Sequence, residues 1–326
     1  SPFGGRIADR VGPRRSVYVG CSLCGVALLG LGLGTTEWAT LVGFLCLGGV
    51  AVALTDPGLA ILVSRVIPHA RQGLAFGVKE ASVPAATLVA GLAVPTIALT
   101  VGWRWAFLAG TLPLGLVFGL LPRLDASSHP SPDSTPTSQS ADALPQRRAL
   151  LVAAVGAALG TAAASGVGIF LTDSAVSMGL SPANAGLLLA TGSLAGIVAR
   201  VGSGVLADRT GGPQFKLITV MLAVGAITML AGGTGNTALL ILGTVGAFTG
   251  GWAWTGIYFL SLVKTHPHRP GAAAGIGTAG LGLGNAAGPI LFGFAAGTWS
   301  FSTAWILAAL VAASAAALMA TARRMF

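Results

Sequence analysis

Ten long apolar stretches, each able to cross a hydrocarbon layer as a helix, limit what this chain can fold into more than any other feature. They fall near residues 16–34, 39–66, 72–101, 104–122, 149–172, 182–206, 215–233, 236–263, 270–297 and 302–322. A bilayer core of about 30 Å takes about 20 residues of α-helix, and inside it each backbone N–H and C=O needs a partner within the protein. With 54% apolar and 8% charged residues, the chain also lacks the polar surface to cover a water-soluble globule of its size. An all-α integral membrane protein, with the lipid bilayer as its solvent, is the expected class.

The charges report topology. Lys and Arg gather at alternate helix ends, fifteen on the side of the first loop and only Arg104 on the other. That bias places the first loop on the inner face of the plasma membrane. It also accounts for the net charge of +9 without a nucleic-acid partner, because no face or helix collects the basic residues. Residues 124–148, rich in Ser, Pro, Thr and Asp, cannot bury enough apolar surface to order themselves. They read as a disordered cytoplasmic linker between residues 1–123, with four spans, and residues 149–326, with six.

The two parts share a string. Gly5-Arg6-Ile7-Ala8-Asp9-Arg10-Val11-Gly12-Pro13 returns 199 positions later as Gly204-Val205-Leu206-Ala207-Asp208-Arg209-Thr210-Gly211-Gly212-Pro213. Each copy joins one apolar stretch to the next: a glycine where helices press together, then Asp, Arg and a glycine suited to positive φ. A carboxylate at a helix C-terminus opposes the macrodipole, so Asp9 and Asp208 each need a compensating donor, an arginine or another helix's N-terminus. The duplication continues: Arg71-Gln72-Gly73 matches Arg269-Pro270-Gly271 and Asp56-Pro57-Gly58 falls on Trp254-Thr255-Gly256.

The string resembles G-x-L-A-D-R-x-G-x-R, the signature loop of the major facilitator superfamily (MFS), found between family helices 2 and 3 and more weakly between 8 and 9. The resemblance implies two pseudo-symmetric helical bundles, with family helices 3–12 present and the chain truncated before them. It implies a secondary active transporter of alternating access, a monomer without cofactor, moving a small-molecule substrate. Asp9 would then engage the start of the eleventh family helix near Arg269, and Asp208 the start of the fifth near Arg71. Gly5, Asp9, Arg10, Gly12, Arg200, Gly204, Asp208 and Arg209 form the implied conformational switch. Phe76-Gly77-Val78-Lys79-Glu80 with Pro84, Gly91, Pro95 and Gly102-Trp103-Arg104 is further similar to bacterial permeases that include cyanate- and nitroimidazole-transporter-like members, although Glu80 stands where that pattern has Gln.

Charges inside spans ask for a partner or a wet cavity, since each costs roughly 2.5–3.5 kcal/mol on insertion scales. Asp56, Lys79, Glu80 and Arg200 qualify. Asp56 and Lys79 sit at depths of about 13 and 10 Å, counting about 1.5 Å per residue from the inner ends of their helices, so the two can meet. Lys79 shares a face with Gln72 and Ser82 and suits an anion or a changing charge state. Glu80 shares its face with Gly73, Gly77, Pro84 and Gly91, which reads as a helix contact. Proton carriage by Glu80 or Asp56 competes with permanent pairing to Lys79. Arg200, two turns before Asp208, suits a bridge to the loop motif. Trp254 and Tyr258, four apart, offer a wall for a flat substrate, with Trp252 on the opposite, packing face. Thr278 and Asn285 suggest a polar track on one helix face.

Other chemistries lack their residues. No P-loop occurs, the four histidines lie in loops or the linker, and no nucleophile elbow or paired-aspartate arrangement appears, so neither an enzyme nor a metal site is expected. Cys21, Cys24 and Cys46 read as small helix residues. A permease for a small organic solute, with organic anions among the candidates, ranks first. Proton-coupled multidrug efflux and a non-transporting receptor or scaffold on the same fold are the alternatives.

Overall fold

The computed structural model describes residues 12–34, 37–68, 71–120, 144–266 and 270–326. Gly5, Asp9, Arg10 and the linker up to residue 143 lie outside them. The described residues form helices α1 (Pro13–Leu33), α2 (Trp38–Val66), α3 (Gln72–Ala93), α4 (Trp103–Ala109), α5 (Leu112–Leu120), α6 (Leu144–Ser177), α7 (Pro182–Thr210), α8 (Phe215–Gly232), α9 (Thr237–Gly246), α10 (Thr255–Thr265), α11 (Pro270–Thr298) and α12 (Phe301–Met325). Singly or joined end to end, they make ten membrane-crossing lengths. Because α6 begins at Leu144, residues 144–148 are helical where the sequence suggests linker.

Three spans depart from a continuous helix, each for a local reason. Past α3, Pro95 has no N–H to give, and Val94–Ala98 widens into a π-helical turn in which the Leu99 N–H reaches the Val94 carbonyl at 3.0 Å. The fourth span breaks into α4 and α5 just before Pro113. Between α9 and α10 the helix loosens into a π-helical Ala247–Gly251 and a non-helical Trp252–Trp254, where Gly250 and Gly251 weaken the ladder.

The chain divides into two compact units. The first takes residues 1–69 and 93–137; the second takes residues 70–92 and 138–326. In the first, α1 and α2 pack closely because Gly20 has no side chain: a Cβ there would stand 2.9 Å from the Ala51 carbonyl oxygen. Ser16 Oγ donates to the Leu54 carbonyl at 2.7 Å, and Val17, Cys21 and Leu62 form a small core. Cys46 is exposed.

In the second unit α6 carries both α11 and α12. Gly280, Gly284 and Gly288 of α11, one turn apart, rest on Ala154, Ala158 and Ala162 of α6, so backbone meets backbone. Trp305 of α12 fills the core and donates its indole N–H to Ser174 Oγ at 2.9 Å. Gly275, by contrast, faces open space. A Cβ at Gly284 would collide with the Ala158 carbonyl and the Thr161 hydroxyl. Gly284→Val is therefore expected to lower stability by roughly 1–3 kcal/mol, the cost of overpacking. Heat-induced loss of the monodisperse peak in detergent checks it, and an unshifted melting curve would refute the seam.

Candidate functional site

Helices α3 and α7 run antiparallel and touch at three levels, all within the second unit. Glycines permit the approach: Cβ atoms at Gly77 and Gly204 would lie 2.7 Å from the Arg200 carbonyl and 2.5 Å from the Gly73 carbonyl. At one end, the last turn of α7 points the Asp208 carboxylate at the first turn of α3. The Gly73 and Leu74 N–H groups donate to its two oxygens at 2.7 and 2.8 Å. Asp208 thus fills two of the orphan donors that open every helix and places its charge on the favourable pole of α3. At the other end, the Thr87 and Ser193 hydroxyls pair at 2.8 Å and Gly91 abuts the Gly186 carbonyl.

The loop carrying Asp208 is fastened separately. Gly211 turns at φ 77, matching Gly12 at φ 92 in the first copy of the string. Lys264 of α10 donates to the Gly211 carbonyl and the Gln214 N–H donates to Ser261 Oγ, both at 2.8 Å.

The middle level holds the charges. Pro84 sits inside α3 and cannot supply the N–H that the Glu80 carbonyl, four residues back, expects. Arg200, only 2% exposed, supplies it through Nη1. Its Nη2 donates at 3.1 Å to the carbonyl of Trp252, beside the break between α9 and α10, and its guanidinium lies 5.8 Å over the Trp252 ring. One side chain therefore completes the backbones of two interrupted spans. Among the described residues its Nε has no hydrogen-bond partner. The Glu80 carboxylate receives Lys79 Nζ at 3.1 Å and the Thr255 hydroxyl at 3.2 Å, with Arg200 Nη1 at 3.9 Å.

Lys79, Glu80 and Arg200 are thus brought together. Asp56 lies on α2 in the first unit and is exposed. Trp254 and Tyr258 have no exposed surface: they sit in the core beside Leu222 and Met319, and the Trp254 indole caps the Gly251 carbonyl at 2.7 Å. In this conformation it is Trp252, half-buried against Arg200, that borders the charges. Arg200 does not bridge to the loop motif; its donors serve the carbonyls of Glu80 and Trp252. Thr278 is half-buried and Asn285 exposed on α11. Arg209 is exposed at the end of α7, and the expected Asp9 contact lies outside the described residues. Thr255 and Ser261 escaped the sequence reading as site and anchor. Their neutral hydroxyls sit in an apolar helix, and only their place across from Glu80 and Gln214 reveals a task.

The family model described as Major Facilitator Superfamily matches residues 1–235. The chain belongs to the Major Facilitator Superfamily. Among relatives, the uncharacterized MFS-type transporter Rv1250 of Mycobacterium tuberculosis is 31% identical over 38% of this chain, which spans only 22% of that protein's length. Mouse monocarboxylate transporter 11 is 32% identical over 90% of this chain and 68% of its own. The fold matches the crystal structure of the human organic anion transporter MFSD10 (TETRAN) with a TM-score of 0.71, at 15% identity, over 98% of this chain and 79% of that one. This MFS member is accordingly a multi-pass membrane protein, built from apolar helices as its sequence implies.

Proposed function

We propose that this MFS chain forms the moving core of a secondary active transporter of alternating access, and that its substrate is a small organic anion. One observation carries the reading: a buried arginine and a lysine converge inside the apolar span region, at the level where α3, α7 and the broken α9/α10 span meet. Charges in that position are costly without partners, and where they gather inside a span they mark a solute or ion path. The mouse relative, named a monocarboxylate transporter, agrees with the sign of that solute. Asp208 on the α3 N-terminus is the contact that stabilises one end state, on the inner face by the distribution of Lys and Arg. The sequence repeat supplies the two halves that rock, residues 1–123 and 149–326.

The test is ligand-dependent stability followed by flux. In the purified protein, monocarboxylates are expected to raise the melting temperature, and Lys79→Ala to abolish that shift while leaving the unliganded melt within a few degrees. Reconstituted vesicles should then carry the stabilising anion. Binding without flux would instead favour a receptor, and protection of cells from cationic dyes would favour multidrug efflux.

A further inference from the structure

Helices α11 and α12 each pack on α6 far more extensively than on one another. They are joined by a short turn after Thr298, and between them a crevice of about 490 Å³ opens with α6 as its floor. That volume falls within the range of about 300–1,000 Å³ typical of ligand sites. Small residues give the crevice its depth: Ala158, Ala162 and Ala163 on α6, with Gly284 and Gly288 on α11. Leu291, Phe294 and Leu307 raise its walls. All of the described lining residues are Ala, Gly, Leu, Val, Phe or Trp, so the crevice offers no charge or hydroxyl to a polar solute.

The two open flanks of α11 tell what covers it. One carries Thr278, Ala279, Gly282, Asn285 and Ala286 at helical spacing, small or polar residues that suit close contact with protein or a wet path. The other carries Leu283, Ile290, Leu291 and Phe294, each 63–70% exposed, and bulky hydrocarbon of this kind on a membrane helix is a lipid-facing surface. The crevice opens on this second flank and is continuous with it. Trp299 stands at the mouth, exposed where α11 ends and edge-on to Phe294 at 6.3 Å. An indole in that place belongs at headgroup level, where its N–H can donate to a lipid ester.

We propose that the crevice is a binding site for one acyl chain of a phospholipid, entering past Trp299 from the leaflet that the distribution of Lys and Arg assigns to the outer face. From Trp299 back to Leu283 the lining follows α11 for about 24 Å, at about 1.5 Å per residue. One leaflet of a 30 Å core is only about 15 Å deep, so a chain is lined over its whole length. Inside a bilayer, apolar burial gives no net drive because the lipid tails are themselves apolar; selection comes from contact. A chain lying on a convex helix face touches protein on one side. In the crevice it touches α6, α11 and α12 together, and an empty crevice forfeits those contacts. The site therefore stands on hydrocarbon packing alone, apart from the charges around Arg200.

The experiment uses the full chain in phosphatidylcholine vesicles, a small share of whose lipid carries a photoactivatable diazirine in one acyl chain. Labelled positions are read by mass spectrometry after digestion. Labelling of Leu291, Phe294 and Leu307 should exceed that of Val220, Val224 and Ile227, an exposed apolar face of α8, by about tenfold, the preference expected from roughly ten extra atomic contacts. Ala287→Trp fills the crevice from its exposed wall and should lower labelling there to the α8 level, with α8 itself unchanged. Equal labelling of the two faces in the wild-type protein would mean ordinary surrounding lipid and would overturn the site, as would crevice labelling that persists in Ala287→Trp. Labelling of α8 with none in the crevice would also overturn it, and protein–protein crosslinks would then identify a second copy as the cover. Should Ala287→Trp fail to insert, Ala287→Leu makes the same comparison with a smaller plug.

Discussion

Replacing Arg200 with methionine is expected to destabilise the second unit by roughly 3–5 kcal/mol, the range seen when one member of a buried charged cluster is removed. Methionine keeps much of the stem volume, so the loss comes from the donors. The Glu80 carbonyl, already deprived of its helical partner by Pro84, and the Trp252 carbonyl beside the span break both lose their donor inside the apolar span region. The Glu80 carboxylate loses one of its two cations. A double-mutant cycle isolates the cause. Pro84→Ala restores an N–H at residue 84, giving the Glu80 carbonyl a donor of its own, so Arg200→Met should cost about 1–2 kcal/mol less in that background, a coupling typical of groups in one network. Denaturation followed by tryptophan fluorescence gives all four stabilities. Strict additivity would mean that Arg200 does not serve the gap left by the proline.

Asp208→Asn should reduce transport by about tenfold or more while membrane insertion stays normal. The aspartate accepts two charge-assisted bonds from α3, each worth roughly 1.5–3 kcal/mol, and asparagine offers one oxygen and a misplaced NH2 group in their stead. Losing about 3 kcal/mol from one end state shifts a two-state equilibrium by more than a hundredfold, leaving the protein mostly in the other. Initial rates in vesicles, normalised to inserted protein, supply the comparison. Wild-type rates in Asp208→Asn would remove this carboxylate from the transport cycle.

Much of this was legible before any coordinates. Apolar length alone located the ten crossings, since a helix in lipid must be about as long as the lipid is thick. That Asp208 needs a donor beyond its own helix also followed, because an acid at that pole opposes the macrodipole; that the donor is the start of α3 came from the family resemblance. The interruption at Ala247–Gly251 did not: Gly250-Gly251 in an apolar run leaves hydropathy unchanged, while the backbone gives way. Trp254 and Tyr258 illustrate a second limit. Helical spacing tells which residues share a face, but within a bundle covered on several sides it does not tell whether that face meets a cavity or a neighbour. Arg200 had a readable signal that was easy to pass over. Pro84 predicts a stranded carbonyl at Glu80, and a buried arginine elsewhere is a natural donor for it.

The anchoring of the loop after α7 has a kinetic meaning. Lys264 and Ser261 hold residues 211 and 214 to α10, inside the same helix group that carries Asp208. The acid is therefore aimed before it meets its target, like the pawl of a ratchet mounted on a fixed arm. In the proposed alternating-access cycle, re-engagement would need no search by a floppy segment and would wait only for the tip of α3 to swing back, so the return half should be paced by rigid-body travel.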